Sequence, residues 1–450
     1  MNSRLGKILA AMLTVCIAAD SMALTGKWRG DLNMGVAKLT LIFNFNETPD
    51  GKTTAMMDCP QQNAKNIPLD VVVCTPDSIG IQNKMIGASY SGKIKENRIE
   101  GTFIQNGYKL PLSLTPEEDL SIRRPQTPVP PFPYVVKDTV FYSSDGTELA
   151  GTLTIPASSV GKSVPIIVMV TGSGPQNRDE EVFEHRPFAV IADYLARNGV
   201  ASFRYDDRGV ASSKGNFQEA TLKTFKEDAK SALNFTKTLS GFDRHGILGH
   251  SEGGTLALLL AAEEKPDFIV SLAGVAIPFK EVLLSQNAHF MDHYGITGKQ
   301  KESSMRLIET AFDMIKAQYA KGETTPLDID RICKENSLDV PLMVIQSVKQ
   351  NMLTRNEYFD SLVSCDPTES LRKIKCPALA VNGTKDIQVD ADSNLEALRT
   401  NVKNVEIRLM EGLNHIMQHA GTGEMTEYGD IRETISPEVL DIITEFIKRQ

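Results

Sequence analysis

Residues 246–254 read GILGHSEGG, and the serine at their centre decides the fold. Ile247 and Leu248 end a short apolar run, and TLALLLAAEE, residues 255–264, continues as an apolar helical segment. Between them Gly249, His250, Ser251, Glu252 and Gly253 spell G-x-S-x-G. A strand ahead, a helix behind and small residues on both flanks are what a serine needs to occupy a tight, strained turn with its hydroxyl exposed. Ser251 is therefore the candidate nucleophile.

A serine hydroxyl is weak until a base takes its proton, and the base must be oriented by a third group. Both partners are expected at later strand ends. Asp386, in AVNGTKDIQVD, follows the apolar run 378–382, and His415, in MEGLNHIMQHA, follows 405–409. The order Ser, Asp, His is that of the α/β-hydrolase arrangement, with spacings of 386 − 251 = 135 and 415 − 386 = 29 residues. Each partner has a rival: Asp390 lies four residues beyond Asp386, and His419 lies one helical turn beyond His415. His415 and His419 also spell H-x-x-x-H, but no nearby glutamate completes a zinc-protease pattern, so no metal site is expected. His250 is expected to pack beneath the turn.

Acyl transfer also needs donors for the oxyanion. One is expected from the backbone N–H of Glu252, the residue after the nucleophile. The second is expected from TGSGPQNRDE, residues 171–180, where Gly172 and Gly174 let the backbone approach a substrate; Ser173 is the predicted donor. RYDDRGVASSKG, residues 204–215, reads as an internal Asp/Arg scaffold beside the site.

Outward from these motifs, short apolar runs at 166–170, 201–205, 246–249, 268–273, 378–382 and 405–409 alternate with helical patterns at about 185–198, 219–239, 252–263, 388–400 and 437–448. Alternation of this kind makes βαβ units and a mostly parallel, doubly wound sheet. A hairpin around Asp145-Gly146 opens it. The span from about 276 to 373 breaks the alternation and reads as helices, including 299–321, so a helical cap is expected between two core strands.

Ahead of this catalytic region, 135–450, lies RRPQTPVPPFPY, residues 123–134, whose five prolines predict an extended, stiff linker. Residues 24–122 carry strand and turn signals instead. In AKLTLIFNFN, Leu39, Leu41, Phe43 and Phe45 share one face, the period of a half-buried strand. Similar runs follow, and a small all-β domain, barrel or sandwich, is expected. Residues 1–23 read as a signal peptide: Arg4 and Lys7, an apolar stretch from Ile8 to Ala19, then Ser21-Met22-Ala23 as a cleavage site. The apolar stretch is shorter than the ~20 residues that span a bilayer, which predicts export to the periplasm or outside without stable membrane insertion. Cys16 suggests a lipoprotein site, but Val15 before it is a poor match.

The 450 residues are 41% hydrophobic and 23% charged, the composition of a globular protein. A formal charge of -9 argues against a nucleic-acid partner. Downstream of residue 23 stand five cysteines, Cys59, Cys74, Cys333, Cys365 and Cys376; export would permit Cys59–Cys74 or Cys365–Cys376 disulfides, with buried free thiols the alternative.

TGSGPQNRDE, YDDRGVASSKG, GHSEGG, VNGTKD and LNH stand in the order found in the α/β-hydrolase superfamily. The chain resembles in particular its exported, cap-bearing esterases related to serine aminopeptidases and described as prolyl-oligopeptidase-like. GKWRGDL and GTFIQNG resemble a β domain placed before such hydrolases. The chain departs from the related Gly-x-Gly-x-Ser at Gly209-Val210-Ala211-Ser212-Ser213, which leaves the triad intact. The resemblance implies hydrolysis of small-molecule carboxylic esters with no metal or organic cofactor. Two other readings stay open: an aminopeptidase, for which Glu281, Asp292 and Glu302 in the cap are candidate amine partners, and a non-catalytic module binding glycan or protein.

Overall fold

A computed structural model describes residues 24–450 apart from 34–37, 49–50, 60–61, 63, 96, 106, 117–123, 160–161 and 354. The proposed signal peptide, with Cys16, lies outside the described residues. The chain divides into two compact units between Ser121 and Ile122.

The first unit is a closed eight-stranded antiparallel barrel, from β1 (Gly26–Asn33) to β8 (Tyr108–Pro116), with β2–β7 being Lys38–Glu47, Thr53–Cys59, Ala64–Thr75, Ser78–Asn83, Ala88–Lys95 and Arg98–Gln105. Pairing of Trp28 with Pro116 joins the first strand to the last, which removes both sheet edges. The alternation read in β2 holds for Leu41, Phe43 and Phe45, all buried with Tyr90, Ile99, Leu112 and Leu114 in the barrel core. Thr40 is an exception on the same strand, buried while donating its hydroxyl to Asp31 Oδ1 at 2.8 Å.

All five cysteines of the described residues are free thiols, so neither candidate disulfide forms. Register explains the first case: Cys59 pairs with Ala64 at the start of β4, whereas Cys74 lies ten residues along the same strand, opposite Ile79. At 3.3 Å per residue that separation is about 30 Å, far beyond disulfide reach.

The second unit is built on an eight-stranded sheet. Its strands are β9 (Val135–Tyr142), β10 (Glu148–Ile155), β11 (Val164–Val170), β12 (Ala201–Tyr205), β13 (Phe242–His250), β14 (Phe268–Leu272), β15 (Ala378–Gly383) and β16 (Val405–Met410). They stand in the order β9-β10-β12-β11-β13-β14-β15-β16. From β12 through β16 every pairing is parallel; β9 and β10 are antiparallel. The central strands are buried on both faces, as the unbroken apolar VPIIVMV of β11 requires. This is the α/β-hydrolase fold. Because the chain leaves β11 toward β12 but leaves β13 toward β14, the order reverses between β11 and β13, and a crevice opens at their carboxyl ends.

Helices α1 (Pro187–Arg197), α2 (Leu222–Lys237) and α3 (Glu252–Glu263) connect the first parallel strands. Between β14 and β15 run α4 (Phe279–His293), α5 (Gly298–Tyr319), α6 (Ile329–Glu335), α7 (Leu342–Leu353), α8 (Glu357–Ser364) and α9 (Thr368–Leu371). They form the inserted cap and carry their own core of Met291, Leu307, Phe312, Ile315, Ile329 and Val363. Helices α10 (Ala391–Asn401), α11 (Met425–Tyr428) and α12 (Pro437–Arg449) complete the unit.

The described part of the Pro-rich stretch is not the single extended segment expected but a series of turns and bends, the first closed by Thr127 N–H donating to Arg124 O at 3.1 Å, and it is tied to the second unit rather than free. Arg124 donates to the carbonyls of Phe183 at 2.9 Å, Gly429 at 2.7 Å, and Ile431. Gln126 donates to Ile435 O at 2.7 Å, and Tyr134 to Asp193 at 2.6 Å. Polar side chains satisfying buried carbonyls turn a spacer into a strap.

The segment this strap covers contains His185, which is fully buried; its Nε2 lies 2.9 Å from both Tyr428 O and Gln418 Nε2, and Nδ1 meets Thr434 Oγ1 at 3.1 Å. Burial pushes its imidazole down to about 4. The folded ring is thus neutral where an unfolded one is protonated, and the unfolded state binds the extra proton between about pH 6.5 and 4. Stability is complete above that window and falls through it, by about 3 kcal/mol at its lower end. Chemical denaturation at pH 7 and pH 4.5 should show this loss, and His185→Gln should make the two curves less different; an unchanged difference would remove His185 as the cause.

Candidate active site

The turn at Ser251 is forced by sterics. Ser251 has φ 53° and ψ −118°, a strained conformation for a non-glycine residue, between the end of β13 and the start of α3. A Cβ on Gly249 would meet Gly253 O at 1.9 Å, and one on Gly253 would meet Val170 O at 2.1 Å. Only glycines let β13, α3 and β11 approach so closely. The Ser251 N–H donates to Leu272 O at 2.9 Å, which anchors the turn to β14. A Cβ on Gly172 would lie 3.4 Å from Ser251 Cβ, so the loop after β11 passes directly beside the serine.

Asp386 and His415 are brought together at the ends of β15 and β16. His415 Nδ1 lies 2.8 Å from Asp386 Oδ2, and both side chains are buried. The other carboxylate oxygen, Oδ1, accepts from the N–H groups of Gln388 and Val389, each at 2.9 Å. Those bonds fix the carboxylate so that Oδ2 faces the imidazole. The rivals are occupied elsewhere. Asp390 caps α10, accepting from Ser393 N at 2.9 Å, and His419 is an exposed partner of Glu433 at 2.9 Å.

The loop 171–180 is held from below by YDDRG. Asp207 accepts from Thr171 Oγ1 at 3.0 Å and from Gln176 N at 2.9 Å; Asp206 takes a two-pronged contact from Arg178, Nε at 3.0 Å and Nη2 at 2.6 Å. Burial pushes the Asp207 carboxyl well above the usual carboxylate range. This is the Asp/Arg scaffold expected from the sequence. Within the loop, Gly172 donates its N–H to Glu180 Oε1 at 2.7 Å, and Ser173 beyond it is solvent-exposed.

Glu252 has two sides. Its N–H belongs to the first turn of α3, where backbone donors have no partner within the helix. Its carboxyl is buried and pushed up to about 7 by that burial. It accepts from the hydroxyl of Tyr358 on α8, and that hydroxyl also meets the Gly174 N–H. Phe217 and Phe225 pack on the Tyr358 ring. Thus the cap touches both loops that flank Ser251. Sequence reasoning missed Tyr358, for which the helical cap offers no local signal, and Glu180, which stood in plain view at the end of TGSGPQNRDE.

His250 does lie beneath the turn, buried, with Nδ1 2.9 Å from Glu180 Oε1 and Nε2 2.9 Å from His415 O. His289, on α4, pairs with Glu424 at 2.9 Å. Among the described residues no group of three or more His, Cys, Asp or Glu side chains is arranged to hold a metal ion, and no helix is long and apolar enough to cross a membrane.

Comparison with known proteins follows the same lines. The family model of X-Pro dipeptidyl-peptidases (S15 family) matches residues 145–420. Esterase EstD of Thermotoga maritima is 28% identical over 281 residues, covering 62% of this chain and 60% of that protein. The chain thus spans about 60% of the length of that relative. A proline iminopeptidase of Lactobacillus delbrueckii subsp. bulgaricus is 26% identical over 243 residues, covering 52% of this chain and 79% of that enzyme. A solved Pyrococcus furiosus esterase, 16% identical, covers 73% of this chain and 97% of its own with a TM-score of 0.44.

Proposed function

This chain belongs to the X-Pro dipeptidyl-peptidase (S15) family, and we propose that it is an exported serine hydrolase cleaving carboxylic esters of small molecules, as the resemblance to an esterase supports. The observation that carries the reading is the bond of His415 Nδ1 to a buried, backbone-fixed Asp386 in the same unit as a strained Ser251. Ser251 attacks the ester carbonyl as His415 takes its proton; Asp386 holds the imidazole in the tautomer with Nδ1–H and stabilises the imidazolium. The N–H groups of Glu252 and Ser173 receive the developing oxyanion. His415 then returns the proton to the leaving alcohol, and water, activated by the same ring, releases the acid. Export is proposed from the pattern of residues 1–23, and neither nucleic acid nor a stable membrane insertion has a part in this reading.

A peptidase reading has the family description and the iminopeptidase relative in its favour. Against it, Glu281, Asp292 and Glu302 are all exposed, so none is held in a dry pocket for a free amine. A fluorophosphonate probe should label Ser251 stoichiometrically in folded protein, and p-nitrophenyl acetate should be turned over faster than aminoacyl or X-Pro anilides. Absence of label at Ser251 would overturn the mechanism; faster anilide cleavage would overturn the substrate class alone.

A further inference from the structure

His250 makes two contacts, one at each ring nitrogen. The carbonyl oxygen of His415 can only accept, so Nε2, 2.9 Å away, carries a hydrogen. On the other side of the ring Nδ1 faces Glu180 Oε1 at 2.9 Å, and that same oxygen already accepts the Gly172 N–H at 2.7 Å. A carboxylate oxygen has lone pairs for two donors, and the arrangement suits an ionised Glu180 accepting from both the Gly172 N–H and an Nδ1–H. The ring then holds both protons and a positive charge.

We infer that Glu180 and His250 form a resident carboxylate–imidazolium pair that positions the loop of the catalytic base and the oxyanion loop as one unit. The inference rests on the assignment of His415 as base. Its reach follows from the bonds: Glu180 holds Gly172 beside Ser251, His250 is the residue before Ser251, and its Nε2–H holds the backbone of His415. Three segments that must keep sub-ångström register during acyl transfer are tied to one ion pair.

The surroundings favour a pair over a lone charge. Apart from Glu180, the pocket around the ring is lined by Phe188, Ile191, Leu272, Ile416 and Met417. The charged or titratable groups that face His250 are Glu180 from the loop after β11, and Asp386 and His415 from the loops after β15 and β16. Burial opposes the ring's charge, but the Glu180 carboxylate, the His415 carbonyl and the Asp386 charge together outweigh it and hold the imidazole above its usual range. A buried ion pair adds little net stability compared with apolar packing, so its value here is geometric. Glu180 itself has φ 53°, a strained backbone that delivers its carboxylate to this place.

The test begins with unaltered protein. Nitrogen-15 NMR of histidine-labelled enzyme at pH 7.5 should show His250 with both ring nitrogens protonated, in slow exchange with solvent. A neutral, singly protonated His250 would overturn the pair whatever the activity. Glu180→Gln keeps the shape but removes the charge: His250 should fall to the Nε2–H tautomer, and kcat should drop roughly ten- to a hundredfold with KM within about twofold. His250→Gln should do the same, and the double variant should be no worse than the poorer single one, because both remove one unit. Losses that multiply, or a KM effect without a kcat effect, would overturn the positioning role. Failure of Ser251 to take the fluorophosphonate is a separate result: it removes the triad assignment and leaves the NMR reading of the pair intact.

Discussion

Ser251→Ala will leave a folded protein whose kcat on p-nitrophenyl acetate is lower by about a million-fold, and His415→Ala will fall to nearly the same floor. Nucleophile and base act as one unit: without the base the hydroxyl is not activated, and without the hydroxyl the base has nothing to activate. The double variant should therefore match the singles rather than multiply them. Asp386→Asn should lose roughly ten-thousandfold, because the amide can present an N–H to Nδ1 and hold the ring in the wrong tautomer. Residual turnover above that of water would come from the Glu252 and Ser173 donors and from binding. Purified variants with unchanged circular dichroism and thermal midpoint, measured by stopped assay to exclude trace contamination, provide the check. A Ser251→Ala enzyme retaining more than about a hundredth of kcat would remove Ser251 as nucleophile, since losing a triad nucleophile costs about a million-fold.

Much of this site was legible because each of its groups follows a strand with a readable pattern. VPIIVMV, GILGH and ALAVNG are short, apolar and bounded by turn residues, so strand ends could be placed to within a residue or two, and chemistry in this fold sits at strand ends. Position alone favours Asp386 over Asp390; in the structure Asp386 faces His415 and Asp390 caps α10. The barrel was legible as β but not as closed, because closure depends on the long-range pairing of Trp28 with Pro116, and no local period encodes a partner 88 residues away (116 − 28). Tyr358 was invisible for the same reason: its bond to Glu252 spans 106 residues and comes from an insertion with its own core. The prolines of 124–134 predict an extended spacer, whereas the chain there turns and bends, and the strap it forms depends on Arg124 and Gln126, whose acceptors at Gly429, Ile431 and Ile435 lie some 300 residues on.

Gly253→Ala will damage the catalytic unit severely although it adds a single methyl. The new Cβ would sit 2.1 Å from Val170 O and 2.5 Å from Thr171 O. Both obstacles are backbone atoms at the end of β11, and that strand is hydrogen-bonded on both sides, to β12 and β13. They cannot swing aside as a flexible side chain would. Relief requires α3 to move off the sheet, yet α3 begins at the residue after Ser251, so the movement is delivered to the nucleophile and to the Glu252 N–H. Overpacking a core commonly costs about 1–3 kcal/mol; against fixed backbone the cost should reach about 4 kcal/mol, with activity lost alongside stability. The fitting control is Gly429→Ala: that residue has φ −61° and nothing within 4 Å of the added Cβ, so stability should change by less than about 0.5 kcal/mol. Denaturant melts of the two variants, run beside Ser251→Ala, separate the causes. Ser251→Ala should lose activity at constant stability, Gly429→Ala neither, and Gly253→Ala both. A Gly253→Ala protein as stable as the control would mean that α3 does not press against β11 as described, and the steric origin of the strained serine would have to be abandoned.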